Sequence, residues 1–194
     1  MKKNAVKEVP AITQLESELK RQRYRQRYRM AIKKTIGTLI TVAAIAILVA
    51  TLWLPVLRIY GTSMTPTLNE KEIVLSVKGT DYQTGDIIAF YYNNKILIKR
   101  VIGSAGDWID IDENGTVYVN GVSQQEPYLT EKALGECNIE LPYQVPDDKI
   151  FVMGDYRSTS MDSRNTSVGC VSEEQIVGKI VFRIWPLDQL GILK

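Results

Sequence analysis

The pattern of apolar and charged positions divides the chain into two parts. Residues 35–57 form an uncharged, mostly apolar run of 23 positions between Lys34 and Arg58. At about 1.5 Å per residue, a helix of that length spans roughly 34 Å, enough to cross the hydrocarbon core of a bilayer. A cleaved leader has a short basic start, whereas more than thirty residues precede this run. A retained transmembrane anchor is therefore predicted over residues 35–57.

Beyond the anchor, the continuous apolar run gives way to short apolar or alternating segments separated by turn residues, which is the pattern of strands. Asn93-Asn94 and Asn114-Gly115 each separate two such segments and predict two hairpins. Residues 122–149 show no periodicity. The fold class predicted is mainly β, with a single N-terminal transmembrane helix followed by an antiparallel-sheet, barrel-like domain outside the membrane. The predicted strands are residues 72–77, 87–92, 96–103, 108–111, 116–119, 149–153 and 176–185.

Charge is distributed unevenly along the chain. Residues 1–34 contain eleven Lys and Arg against three Glu, a net charge of +8, while the whole chain carries +2. The remaining residues therefore carry −6. A basic flank of a transmembrane helix stays in the cytoplasm, so we expect a cytoplasmic tail at 1–34 and an extracytoplasmic domain at 58–194. The run from Lys20 to Arg25 would also suit an RNA-binding arm, but the adjacent anchor favours the cytoplasmic flank, and no nucleic acid is expected as a partner.

The chain contains no histidine, which excludes a Ser-His-Asp triad, a Cys-His dyad and most zinc sites. Cys137 and Cys170 have no metal-binding spacing, so neither a metal nor another cofactor is predicted. These two cysteines could remain buried thiols, or they could form one disulfide if the domain lies outside the cytoplasm. The sequence leaves both states open.

One serine and one lysine are the candidates for chemistry. Ser63 lies between Gly61 and Pro66, on a predicted bend where its hydroxyl either bonds its own backbone or faces a groove. Strand alternation places Lys99 on one face with aliphatic neighbours, either as an exposed edge residue or partly buried. Burial lowers the pKa of a lysine from about 10.4, and a neutral amine can take a proton from a serine hydroxyl. Without histidine, Lys99 is the best candidate base for Ser63.

Three segments behind the anchor resemble the diagnostic motifs of bacterial type I signal peptidases. They are Gly-Thr-Ser-Met-Thr-Pro-Thr-Leu at 61–68, Lys-Arg-Val-Ile-Gly at 99–103 and Gly-Asp-x-Arg-x-x-Ser-x-Asp-Ser-Arg at 154–164. The resemblance covers the anchor and nearly all of the following domain. It implies a Ser-Lys serine endopeptidase of the bacterial cell membrane that removes signal peptides from exported preproteins after a small-x-small site. Its implied partners are preproteins and the lipid bilayer.

The resemblance also implies a role for each matching residue. Ser63 would be the nucleophile, Lys99 the general base, and Ser160 a hydroxyl that positions the lysine amine. Two ion pairs, Asp162 with Arg164 and Arg100 with Asp155, would fix the surrounding loop, and Gly154 would let the backbone pass close to the base. The implied substrate pocket residues, each of which could equally be an ordinary core residue, are Ile59, Met64, Leu68 and Ile98.

Two positions depart from the family pattern. Gly61 stands where some members carry a serine whose hydroxyl helps to form the oxyanion hole, so the composition of that hole is open. Tyr156 stands where many members carry asparagine. Two alternatives to a signal peptidase are another Ser-Lys protease, such as a soluble self-cleaving repressor, and a membrane-tethered binding or structural module without activity. The sequence does not decide the oligomeric state or which preproteins are cleaved.

Overall fold

A computed structural model describes residues 12–79 and 81–193, so the first eleven residues of the predicted tail lie outside the described ranges. The chain divides into two compact units, residues 1–49 and 50–194. Helix α1 runs from Ile12 to Trp53, and among the described residues it is the one helix long and apolar enough to cross a membrane.

Helix α1 contains both the described part of the basic stretch and most of the predicted anchor, and none of its side chains is buried. It ends at Trp53, four residues before the end of the apolar run. Pro55 has no backbone N–H to continue a helix, and its carbonyl instead accepts a hydrogen bond from the N–H of Ser76 at 2.9 Å. The last two residues of the apolar run, Val56 and Leu57, therefore lie outside the helix and form a strand together with Arg58.

The second unit consists of short strands and two 3₁₀ turns, Glu173–Gln175 and Leu187–Gln189. The strands are β1 (Val56–Arg58), β2 (Ile73–Val77), β3 (Ile87–Tyr92), β4 (Lys95–Gly103), β5 (Trp108–Ile111), β6 (Val117–Val119), β7 (Val122–Ser123), β8 (Tyr143–Gln144), β9 (Lys149–Met153), β10 (Val171–Ser172), β11 (Ile176–Trp185) and β12 (Gly191–Ile192).

These strands form two antiparallel sheets. The larger has the order β1-β2-β11-β3-β4-β9-β10, with β12 beside β11, and the smaller has the order β7-β6-β5-β8. The predicted mainly β fold with one long N-terminal helix is confirmed, and each of the seven predicted strands is present to within one residue at each end. The expected barrel-like closure is wrong in detail: among the described residues no pairing joins β1 to β10, so the sheet stays open.

Strand β3 forms the centre of the core because it is buried on both faces. Ile87 and Ala89 pack into one apolar cluster, while Ile88 and Phe90, which alternate with them, pack into a second. This explains why the strand is a continuous apolar run rather than an alternating one. A third cluster lies against the smaller sheet. Cys137 and Cys170 are free thiols.

Strand β4 is only half covered along one of its edges. Residues 95–100 pair with β3, whereas β9 pairs with β4 only from Arg100 to Gly103. Within the described part of the chain, residues 95–99 therefore pair on one side only. Strand β1 lies at the end of the sheet and pairs only with β2. The two unpaired edges border the groove described below.

Candidate active site

Ser63 lies on a short turn that the core holds in place. Gly61 opens the turn at φ +82°, a conformation that strongly favours glycine. The N–H of Leu68 donates to the carbonyl of Met64 at 2.8 Å, closing a single helical turn. Met64 and Leu68 are 2% and 0% exposed. The turn is thus anchored in the core while Ser63 itself stays partly accessible.

Lys99 reaches the nucleophile turn from β4. Its Nζ lies 2.7 Å from Oγ of Ser63, and the residue is 2% exposed. Burial disfavours the ammonium form and is the main cause that lowers the pKa of Lys99 to about 8. Asp162 opposes this shift, Arg164 reinforces it, and Asp155 opposes it. The geometry therefore provides a serine hydroxyl next to an amine that is substantially neutral near pH 8.

The loop after β9 passes very close to this pair. A Cβ placed on Gly154 would lie 2.1 Å from Oγ of Ser160 and 2.6 Å from the carbonyl oxygen of Ser63, so only glycine fits there. The N–H of Gly154 donates to Oδ2 of Asp162 at 2.9 Å, which fixes the backbone at this point. Oγ of Ser160 is buried and has no hydrogen-bond partner within the described residues.

Three buried arginines fix the loop, and each is paired with a carboxylate. One of them lies on β4 and the other two belong to the loop itself. Arg100 donates to both carboxylate oxygens of Asp155, at 2.9 and 2.7 Å. Arg164 donates to both oxygens of Asp162, at 2.9 and 2.8 Å. These side chains are at most 2% exposed, so the charges of both pairs are buried rather than solvated. Such bidentate pairs fix orientation as well as charge.

The third pair joins the loop to a distant segment of the chain. Arg157 forms a bidentate ion pair with Glu126, 31 positions earlier in the chain. Tyr128 donates its hydroxyl to Glu126 at 2.9 Å, and its ring lies 3.9 Å from the guanidinium carbon of Arg100.

Sequence reasoning missed Glu126 and Tyr128 because they belong to the irregular segment that carries no periodic signal. Thr67 was also missed as a functional residue, although it lies inside the first motif. Its hydroxyl donates to Asp155 and accepts from Arg100 at 3.3 Å. Contacts of this kind depend on long-range folding, and no local pattern of residue types could have indicated them.

A groove with a volume of about 660 Å³ runs from Ser63 between the unpaired edges of β1 and β4. It is lined by residues 56–61, 63–64 and 94–98. Three of the four candidate pocket residues, Ile59, Met64 and Ile98, line it. The fourth, Leu68, is fully buried in the core and does not line the groove. The groove is mostly apolar, and Ser63 is one of its lining residues.

The arrangement suits nucleophilic acyl transfer. Among the described residues, no group of three or more His, Cys, Asp or Glu is placed to hold a metal ion. The N–H of Ser63 has no acceptor within the part of the chain that the structure describes, so it is free to donate to a developing oxyanion. A peptide carbonyl at the end of the groove would meet a nucleophile, a base and a donor together.

Comparisons with known proteins identify the family of the chain. The family model described as signal peptidase, peptidase S26, matches residues 32–185. Signal peptidase I of Bacillus amyloliquefaciens is 38% identical over 141 residues, covering 67% of this chain and 75% of that protein. Signal peptidase IB of Staphylococcus aureus strain Mu50 is 37% identical over 151 residues, covering 68% and 78%. The crystal structure of a signal peptidase I from Enterococcus faecalis V583 is 30% identical, with a TM-score of 0.45 over 52% of this chain and 97% of that one.

Proposed function

Because the chain belongs to the bacterial type I signal peptidases, a family of serine endopeptidases, we propose that it removes signal peptides from exported preproteins with Ser63 as nucleophile and Lys99 as general base. The observation that carries the assignment is the 2.7 Å distance between Oγ of Ser63 and Nζ of a lysine that is only 2% exposed. A solvated lysine would be almost fully protonated near neutral pH and could not accept a proton.

The reaction follows from the positions of these two side chains. The neutral amine of Lys99 takes the proton from Ser63 as Oγ attacks the carbonyl carbon of the scissile peptide bond. The resulting ammonium returns the proton to the leaving amine, the C–N bond breaks, and an ester to Ser63 remains. Lys99 then takes a proton from a water molecule that attacks the ester. The ester C–O bond breaks, the ammonium returns this proton to Oγ of Ser63, and the signal peptide leaves as a carboxylic acid. The free N–H of Ser63 stabilises both oxyanions, whereas Gly61 offers no side-chain donor.

The substrate lies extended in the groove. A peptide strand placed there can form main-chain hydrogen bonds with the unpaired edges of β1 and β4. Alternate side chains of such a strand face the same wall, here Ile59, Met64 and Ile98. Two small residues separated by one arbitrary residue fit this wall, which accounts for a small-x-small cleavage site.

Helix α1 anchors the enzyme in the membrane, with the basic tail in the cytoplasm and the strand unit outside. The hydroxyls of Thr35, Thr38 and Thr41 each donate to the carbonyl four residues earlier, at 2.9 to 3.0 Å. Their polar groups are therefore satisfied within the helix, as lipid surroundings require. Protease added outside spheroplasts should digest the strand unit and spare the tail, and protection of the strand unit would overturn this orientation.

Cleavage by the full chain in lipid vesicles tests the proposal. A preprotein with an Ala-x-Ala site should be cut by wild type and left intact by Ser63→Ala and Lys99→Met. Ser158→Ala is a matched control, because Ser158 is an exposed serine on the neighbouring loop after β9. Replacing the first alanine by a bulky residue should abolish cleavage. Equal cleavage by Ser63→Ala, or no cleavage by a folded wild type, would favour a protein that does not use this site.

A further inference from the structure

Thr67 connects the three segments that form the active site. It lies four residues after Ser63, within the helical turn closed by the Leu68 to Met64 hydrogen bond. Its hydroxyl donates to Oδ2 of Asp155, which is in the loop after β9, and accepts from Nη2 of Arg100, which is on β4. Its carbonyl accepts a hydrogen bond from Nη2 of Arg183, on β11. One residue therefore joins the nucleophile turn, the strand of the base and the loop beside the base.

These contacts bear directly on the distance between nucleophile and base. Lys99 and Arg100 are consecutive on β4, so their side chains leave opposite faces of the strand. Lys99 meets Ser63 on one face, and Arg100 meets Thr67 and Asp155 on the other. The nucleophile turn is thus attached to β4 at two points, and only one of them, the Ser63–Lys99 contact, takes part in the chemistry.

Several hydrogen bonds fix the second attachment, which joins Thr67 to Arg100 and Asp155. Oδ2 of Asp155 receives hydrogen bonds from both Thr67 and Arg100, while Arg100 also donates to the carbonyl of Gly85 at 2.7 Å. The two partners of the Thr67 hydroxyl, Asp155 and Arg100, are each 2% exposed. Bulk water therefore cannot replace the hydroxyl without rearrangement. A valine at position 67 has nearly the same shape but cannot donate, which leaves a carboxylate oxygen with one bond fewer.

We propose that Thr67 is a positioning residue for peptide cleavage. Its hydroxyl holds the nucleophile turn in the position where Oγ of Ser63 lies within hydrogen-bond distance of Nζ of Lys99. Thr67 contacts neither the groove nor the reacting atoms, so its loss should slow the chemical step without weakening substrate binding. This inference rests on the proposed function, because it assumes that the Ser63–Lys99 contact is the catalytic one.

The test compares Thr67→Val with Thr67→Ser in the full chain, assayed in lipid vesicles with an Ala-x-Ala preprotein. Thr67→Val should lower kcat by about tenfold or more, because it removes a hydrogen bond to a charged group, and should leave KM within about twofold. Thr67→Ser keeps the donor and should restore kcat to within about threefold of wild type. Wild type and Ser63→Ala, measured in parallel, decide the proposed function independently of these variants.

Two results would overturn the proposal. A folded Thr67→Val with wild-type kcat would show that the hydroxyl has no positioning role. A Thr67→Ser variant as slow as Thr67→Val would show that the methyl group, and hence packing, is responsible. If Thr67→Val does not fold, Thr67→Cys replaces it, because a thiol is similar in size and only a weak donor. Wild-type kcat in Thr67→Cys would then count against the hydroxyl, and a loss rescued by serine would support it.

Discussion

Replacing Lys99 by methionine should abolish cleavage and stabilise the protein near neutral pH. Methionine keeps an unbranched stem of similar length and removes the charge. The folded protein holds the pKa of Lys99 at about 8, against its ordinary value of 10.5, mainly through burial. At about 1.4 kcal/mol for each pKa unit, this gap corresponds to about 3 kcal/mol by which folding disfavours the ammonium form.

The pH dependence has a definite sign. Below pH 8 both the folded and the unfolded chain carry a protonated Lys99, so the full cost is present. Between about 8 and 10.5 the unfolded chain binds more protons than the folded chain, and stability therefore rises with pH. Above 10.5 the cost is gone. Lys99→Met should consequently exceed wild type by up to about 3 kcal/mol at pH 7, and the difference should shrink as pH rises through this window.

The measurement is urea unfolding of the full chain in detergent micelles, for wild type and variant at matched pH from 7 to 10. Lys95→Met is the matched control, because Lys95 is an exposed lysine on the same strand and the variant removes a charge while leaving the buried amine in place. If Lys99→Met is clearly less stable than wild type at pH 7, Lys99 is a charged structural anchor and cannot be the base. Wild-type activity should rise with pH along a limb centred near 8.

Three further predictions concern the residues around the dyad. Ser160→Ala should lower kcat. It should leave the free energy of unfolding unchanged or raise it by up to about 1 kcal/mol, because it removes a buried hydroxyl that has no partner among the described residues. Thermal unfolding and turnover measurements check both expectations, and full activity would contradict a role for the hydroxyl. Gly154→Ala should lower the free energy of unfolding by about 1 to 3 kcal/mol and abolish turnover, since its Cβ would clash with backbone and side chain. Gly191→Ala is the control and should behave as wild type, because its Cβ would meet nothing within 4 Å. An active Gly154→Ala would refute the close approach. Arg58 and Lys95 both line the groove, so a substrate with Glu four or five residues before the cut should have a KM lower by about fivefold at low salt than one with Lys; reversing both charges should invert this preference, and an unchanged preference would place that part of the substrate elsewhere.

The sequence predicts the strands of this fold well because their signals are local. The apolar run at residues 87–92 indicated a strand, and Asn93-Asn94 indicated the turn that pairs it with β4. The two-residue strands β7, β8, β10 and β12 were missed because two residues carry no periodicity. Strand β1 was missed because its apolar residues continue the apolar run of the anchor.

The candidate site likewise contains residues that the sequence indicated and residues that only the fold brings together. Ser63, Lys99 and the loop of residues 154–164 were indicated by residue type, by the absence of histidine and by resemblance. The partners of the buried arginines follow from the fold instead. Glu126 could be paired with Arg157 only after the irregular segment had been placed against the loop. Even the pocket residues needed the structure, because Ile59 and Leu68 belong to the same apolar cluster but only Ile59 also lines the groove.

With the substrate bound as proposed, the unpaired edges of β1 and β4 would determine which proteins the enzyme leaves intact. Recognition through main-chain hydrogen bonds requires a substrate whose own N–H and C=O groups are free. A passenger that has already folded has committed those groups to its own helices and sheets, so folding protects it from cleavage even where its sequence contains a small-x-small site. The same unpaired edges offer backbone groups that a second enzyme molecule can pair with. Arg58 on β1 and Lys95 on β4 oppose this pairing, because it would bring like charges together.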